Sequence, residues 1–384
     1  MSRPPARRTR VRKARGASAV GERFEAEIGP VAHGGHCVAR VRIAGEEQTR
    51  VVFVRHALPG EQVVIEITEG TEGDRFWRGD AVEVTTPSPD RVEAPCRYAG
   101  PGLCGGCDFQ HVALDAQRRL KGDVVREQLR RLAGLDVELT VEAVPGDTDG
   151  LRWRTRQRYV PLAGGVLGMR KHRSHDVIPV EECLLAAPSG PSYDVRGRAF
   201  EVADGGFWQV HPGAPEALVD AVLTALAPQP GESALDLYAG VGLFSRFLLE
   251  AVGPDGRVAA VEGDAAASSL SLVNCPGLQA TAGDVGAVLS GGLPQVWDST
   301  DVVVLDPPRA GAKRAVVEEV VRRAPRAVAY VACDPAALAR DVAIFAEHGY
   351  RLTSVRAFDL FPMTHHVECV ALLEPVEPDQ RTTS

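Results

Sequence analysis

The sequence predicts an α/β protein, with a doubly wound, mostly parallel sheet in its C-terminal part, preceded by a small β-barrel and a mixed α+β segment. Two patterns and the length carry this. From about residue 207, strand-like runs at 234–238, 257–262, 278–282, 301–306, 326–332, 350–356 and 367–373 alternate with helical stretches in all but the last pair. That is the rhythm of a Rossmann-like domain. Between residues 20 and 87, short runs alternate apolar and polar side chains between Gly and Pro turns, which reads as a barrel. A chain of 384 residues has room for two or three domains. The expected division is a basic tail over 1–18, the barrel over 19–87, a central part over 88–205 and the α/β domain over 206–384.

The tail carries Arg3, Arg7, Arg8, Arg10, Arg12, Lys13 and Arg15 before the first acid, Glu22. A Pro/Arg segment of this kind is expected to be disordered, either solubilising the chain or touching RNA. The whole chain has a net charge of −8, so its seven charges leave the remainder near −15. A global attractive field for nucleic acid is therefore excluded, and any such contact must use local basic surfaces. With 45% hydrophobic and 24% charged residues, and no apolar run near the roughly 18 residues a membrane span needs, a soluble, cytoplasmic protein without a membrane partner is expected.

In the barrel region the alternating runs are 24–28, 37–43, 49–54 and 62–67, and Pro87, Pro89 and Pro95 close it. A helix is expected over 112–132. Leu114, Leu120, Val124, Leu129 and Leu132 share one side, and Arg118, Arg119, Lys121, Arg126 and Arg130 the other. The run from Arg152 to Tyr159 alternates strictly. Read as a strand, it sets Arg152, Arg154, Arg156 and Arg158 on one face.

The first strand of the α/β domain runs into Tyr238-Ala-Gly240-Val-Gly242, a turn that opens a helix. Glycines there let backbone approach a ligand. Glu262 ends the next strand and can accept from ribose hydroxyls, and Asp284 after the third could meet an adenine amino group. A third glycine for a pyrophosphate is missing, and Asp236 and Tyr238 flank the loop, which favours S-adenosylmethionine over a dinucleotide.

Two later strand ends carry chemistry: Asp306-Pro-Pro-Arg309 and Tyr330-Val-Ala-Cys333-Asp-Pro335. A thiolate at a strand's carboxyl end, ahead of a helix N-terminus, can act as a nucleophile. Adding it to C6 of uracil makes C5 reactive toward a sulfonium methyl. Glu368, an acid opening an otherwise apolar strand, is the candidate base.

Asp306-Pro-Pro-Arg-Ala-Gly311, Tyr330 through Asp341 and Phe361-Pro-Met-Thr-His-His-Val-Glu368 together resemble the signatures of the RNA 5-methyluridine methyltransferases. The likeness spans nearly the whole chain past the tail. It implies Cys333 as nucleophile, Glu368 as base and Asp306 as an acid on the uracil. It also implies that Phe207 and Gln209 serve the target base and the cofactor. Residues 20–85 resemble the OB-like TRAM domain, an RNA binder. The chain departs from the family at Ala239 and Leu243 in the cofactor loop, and at Asp334, where Asn is usual.

Cys96, Cys104 and Cys107, with Cys183 downstream, supply four soft ligands, and spacing alone leans toward zinc. The resemblance implies a [4Fe–4S] cluster instead, because one branch of the family carries it on this arrangement. That branch acts on 23S rRNA, which makes rRNA the expected substrate and tRNA the alternative. The arginine run and Arg170-Lys-His-Arg173 are candidate RNA contacts, and a monomer is expected. A cytosine-C5 DNA methyltransferase would carry its Cys in a Pro-Cys loop, and an amino-group methyltransferase an aromatic at position 309. A non-catalytic RNA-binding module would not need Cys333, Glu368 and Asp306 together.

Overall fold

The computed structural model describes residues 16–43 and 48–376, so most of the basic tail lies outside the described residues. The first five strands are β1 (Arg23–Ala32), β2 (His36–Val41), β3 (Arg50–Arg55), β4 (Gln62–Glu69) and β5 (Phe76–Thr86). They close into a barrel in the order β1-β2-β3-β5-β4. Along β4 the alternation sends Val63, Ile65 and Ile67 inward, where they meet Ile28, Val52, Val54 and Trp77. The fifth strand lies outside the four alternating runs named from the sequence, and Gly79 and Asp80 interrupt its pattern. Gly79 is required there: a Cβ would lie 2.6 Å from Ile65 Cγ2 and 2.7 Å from the Glu66 carbonyl.

The central region contains α1 (Leu114–Ala133), β6 (Val141–Glu142), the small sheet β7 (Val160–Pro161), β8 (Leu167–Arg170) and β9 (Val177–Val180), and the hairpin β10 (Asp194–Val195) and β11 (Arg198–Ala199). It does not pack as one unit. Strand β6 joins the edge of the large C-terminal sheet. Helix α1 serves two cores: Ala116 and Leu120 enter the barrel core, while Val125 and Leu129 enter the core beside the large sheet.

The C-terminal part runs α2 (Ala214–Leu226), β12 (Ser233–Leu237), α3 (Leu243–Val252), β13 (Arg257–Glu262), α4 (Ala265–Asn274), β14 (Gln279–Ala282), α5 (Val285–Gly291), β15 (Val302–Leu305), α6 (Lys313–Arg322), β16 (Ala327–Ala332), α7 (Pro335–Glu347), β17 (Tyr350–Phe358) and β18 (Glu368–Pro375). The sheet order is β14-β13-β12-β15-β16-β18-β17-β6, and β18 alone runs against the rest. The fold expected from the sequence is thus present. At the centre of the sheet both faces are covered, so β15 and β16 are apolar throughout: Val302 and Val304 point to the core that holds α2 and α3, Val303 and Leu305 to the core that holds α5, α6 and α7. Among the described residues no helix is long and apolar enough to cross a membrane.

Candidate active site

The carboxyl edge of the sheet gathers the residues singled out from the sequence. Leu237 pairs with Val261 on one side and Leu305 on the other, so Tyr238, Glu262 and Asp306 emerge together. This is where the chain reverses its direction across the sheet, the crevice in which open α/β sheets bind ligands. Leu305 pairs with Tyr330, which puts Cys333 one strand beyond Asp306. Because β18 is antiparallel, its first residue lies at this edge. Ala332 pairs with Cys369, setting Glu368 across from Cys333.

A cavity of about 450 Å³, open to solvent, is lined by His33, Arg309, Cys333, Asp334, His365 and His366. Three acids surround the thiol, and the region holds its protons. Burial first, then Glu368, Asp306 and Asp334, push Cys333 up to about 12, with Arg309 opposing them. The expected help from the helix N-terminus does not outweigh this. Asp306 is pushed up to about 7 by burial and by Asp236 and Glu262. Glu368, 5% exposed, is raised by burial and by Asp306.

The cofactor loop is held from both ends. Asp236 is fully buried, and its Oδ2 accepts from Ser245 N (2.8 Å) and Oγ (2.6 Å) while Oδ1 has no partner. Burial pushes its carboxyl up to about 6 against those hydrogen bonds. Glu262 accepts from Gly240 N (2.8 Å) and Asp264 N (2.7 Å). A Cβ on Gly240 would meet open space, so the backbone there is free for a ligand. Gly242, at φ 90°, also meets a packing need: a Cβ there would lie 2.7 Å from Cys275 Sγ. Tyr238 takes φ 66°, strain that turns the chain off the strand. Asp284 is exposed and caps α5 by accepting from Ala287 N at 3.0 Å.

Residues 296–376 match the tRNA (uracil-5-)-methyltransferase family, and residues 17–82 the TRAM domain. An uncharacterized RNA methyltransferase of Streptomyces avermitilis is 44% identical, over 93% of this chain and 99% of its own. A 23S rRNA (uracil(1939)-C(5))-methyltransferase, RlmD, of Shewanella sp. is 30% identical over 86% of this chain and 92% of its own. The chain belongs to the uracil-C5 RNA methyltransferase family. The crystal structure of the Pyrococcus abyssi tRNA (uracil-54, C5)-methyltransferase with S-adenosyl-L-homocysteine shares the fold, with a TM-score of 0.62 at 19% identity, covering 91% of this chain and 99% of that one.

For a member of this family the methyl donor is S-adenosylmethionine, and the crevice fits it. Open backbone at Gly240, the unpartnered Asp236 Oδ1 and an excess of acids suit a ligand bearing a sulfonium and an ammonium. Phe207 stands 65% exposed beside the buried Trp208, with Gln209 partly buried. Arg156 Nη1 donates to Gly206 O (2.8 Å), and Thr155 N and Oγ1 both donate to Val210 O (2.9 Å), fixing this segment.

The arginine strand is not formed. Arg152 has φ 57°, and the segment's backbone bonds instead to Leu184, Leu185 and Val210. Trp153 is driven into a small core with Leu185 and Met363, which breaks the alternation. Arg152 and Arg158 are exposed, Arg156 holds the Phe207 segment, and Arg154 turns to the cysteines. Four guanidinium groups on one strand face would have repelled one another.

Cys96, Cys104, Cys107 and Cys183 do converge, on a cavity of about 440 Å³ with Met169, Val180 and Leu185 among its walls. Three sulfurs accept N–H donors: Gly106 N to Cys104 (3.4 Å), Gln110 Nε2 to Cys107 (3.4 Å) and Gln157 Nε2 to Cys183 (3.3 Å). Among the described residues, no three His, Cys, Asp or Glu side chains form a group able to hold one metal ion.

Several residues near the site escaped the sequence reading. Lys121, assigned to the polar side of α1, is buried against Asp359 and also donates to Phe361 O at 3.1 Å. His365 pairs with Asp108 at 2.6 Å, and Asp108 with Arg55 of the barrel at 3.6 Å. Burial opposes ionisation of Asp108, but the His365 hydrogen bond and charge and the Arg55 charge hold it down to about 2. The histidine pair before Glu368 was the available signal.

Proposed function

We propose that this protein methylates C5 of a uridine in 23S rRNA, with Cys333 as nucleophile, Glu368 as base and Asp306 on the uracil. The observation that carries this is the register of β16 and β18, with Cys333 and Glu368 opposite one another and Asp306 on the neighbouring strand. The RlmD relative's substrate supports rRNA, and the Pyrococcus enzyme's supports tRNA as the second reading.

Bound S-adenosylmethionine supplies an electrophilic methyl. The uridine must leave its stack to expose C6. Once the Cys333 proton has left through the open pocket, the sulfur adds to C6 and the displaced electron pair reaches C5 and the 4-carbonyl. Asp306, pushed up to about 7, can keep its proton and donate to a uracil carbonyl as that charge develops. After C5 is methylated, Glu368 takes the C5 proton. The C5–H electrons re-form the C5–C6 double bond, and Cys333 departs as thiolate. A buried carboxylate is a stronger base than a solvated one, which suits this step.

A [4Fe–4S] cluster on Cys96, Cys104, Cys107 and Cys183 is part of the proposal. Four cysteine sulfurs, three of them accepting N–H donors, around a roomy apolar cavity support it over a single zinc, whose ligands crowd to about 2.3 Å from one centre. The cluster would order the central region and, with Phe207, Arg152 and Arg158, shape an RNA surface.

The test is RNA carrying 5-fluorouridine, whose C5 fluorine cannot leave as a proton. Wild-type protein and cofactor should give a stable protein–RNA adduct, and Cys333→Ala none. Glu368→Gln should accumulate an adduct on ordinary RNA. An adduct that survives Cys333→Ala would remove the nucleophile assignment. Mapping 5-methyluridine in rRNA and tRNA of a deletion strain decides the substrate.

A further inference from the structure

The turn between β1 and β2, His33-Gly34-Gly35, reaches out of the barrel onto the active site. Its approach is close: a Cβ on Gly35 would lie 2.7 Å from His365 Cβ and 3.1 Å from Asp108 Cγ. At its start His33 lines the same cavity as Cys333. His33 Nε2 lies 3.1 Å from Asp334 Oδ2. Asp334 directly follows Cys333, and its other oxygen, Oδ1, caps α7 by accepting from Ala337 N at 2.8 Å. Both oxygens of this carboxylate are therefore engaged, one by the catalytic domain's own helix and one by the barrel.

We propose that His33 screens the Asp334 carboxylate from Cys333, so that the barrel sets the reactivity of the thiol. The inference rests on Cys333 being the nucleophile. The acids acting on that sulfur are Glu368, Asp306 and Asp334, and Arg309 is the cation that opposes them. Glu368 and Asp306 are required by the chemistry, whereas Asp334 is a charge the thiolate must tolerate. On its own side Asp334 feels His33 and Arg340. Without His33, Oδ2 loses its partner, and its charge acts on the sulfur and on any incoming phosphate. The pair is partly solvated, with side chains 39% and 22% exposed, so its effect on global stability is small. It acts locally, on one neighbour.

The experiment measures alkylation of Cys333 by iodoacetamide in the full-length protein without RNA, at pH 7 and low salt, read by mass spectrometry of the Cys333 peptide. The thiolate displaces iodide, so the rate reports thiolate availability. His33→Ala should slow it on the order of fivefold. In an Asp334→Asn background, where the α7 cap is kept but the charge is gone, His33→Ala should matter less than about twofold. Added salt should shrink the effect in the Asp334 background. An equal effect in both backgrounds, or none in either, overturns the proposal. Methylation of RNA by the same four proteins separates the two assignments. If alkylation follows this pattern while methylation does not, screening stands and the nucleophile reading falls.

Discussion

At the scale of single residues, the active site stands out by how tightly it keeps its protons. Cys333 rises to about 12 and Asp306 to about 7, and Glu368 rises as well. Packed acids resist ionising together, and Arg309 offsets their repulsion only in part. A positively charged cofactor relieves that repulsion, so the site's charge is built for a ligand that arrives later. Asp306 allows a direct check. Its carboxyl sits at about 7 in the folded chain, against 3.8 ordinarily, so the folded state binds this proton more tightly than the unfolded one. The resulting stabilisation is complete below about 4 and is lost as the pH rises through about 7. Asp306→Asn removes the titration. In urea unfolding without cofactor, the Asn variant should therefore gain about 1–2 kcal/mol on the wild type between pH 5 and pH 8, discounted for partial exposure. A difference that stays constant across that range means Asp306 ionises like a surface acid.

At the scale of elements, α1 decides where the loop before Glu368 lies. Lys121 meets Asp359 and the Phe361 carbonyl, and the Gln117 side chain accepts from Met363 N at 2.8 Å. Both Lys121 and Asp359 are essentially unexposed. Removing one partner of such a pair strands the other, at a cost of about 3–5 kcal/mol. Lys121→Met should lower the unfolding free energy by an amount in that range, and Lys121→Met with Asp359→Asn should recover part of it. Full additivity of the two substitutions would mean the pair is not coupled. This clamp was illegible in the sequence for a definite reason. Lys121 falls among the arginines of a basic helix side, and only the partner Asp359, 238 positions away, reveals that it points inward. The inner strands of the α/β domain were legible because they are mostly apolar on both faces and end at, or run into, chemically unusual residues such as Glu262, Asp306 and Cys333. The segment from Arg152 to Tyr159 misled because alternation carries no information about whether a partner strand exists.

At the scale of the whole molecule, three parts meet on the loop between Asp359 and Glu368. The barrel contributes Gly35 against His365, and α1 contributes Lys121 and Gln117. The cysteine loop contributes Asp108 and Phe109, whose N–H groups both donate to Met363 O, at 2.9 and 3.0 Å. None of this convergence is visible in a one-dimensional pattern, although each part on its own was. Its consequence is that the cysteine cavity and the active site are not independent. Cys107 is the immediate neighbour of Asp108, and Cys183 packs with Trp153 and Met363 in one small cluster. If the cavity holds iron and sulfide, anaerobically purified protein should contain both in equal amounts, and Cys183→Ser should lose them. With the cluster gone, hydrogen exchange should quicken at Asp108 and Phe109, whose amides depend on that packing, while the barrel interior around Ile65 and Val54 stays protected. RNA methylation should fall with it although Cys333, Glu368 and Asp306 are intact. Stoichiometric zinc in place of iron and sulfide would replace the cluster in this account. Unchanged exchange at Asp108 in the Cys183→Ser protein would show that the cavity and the catalytic loop are mechanically separate.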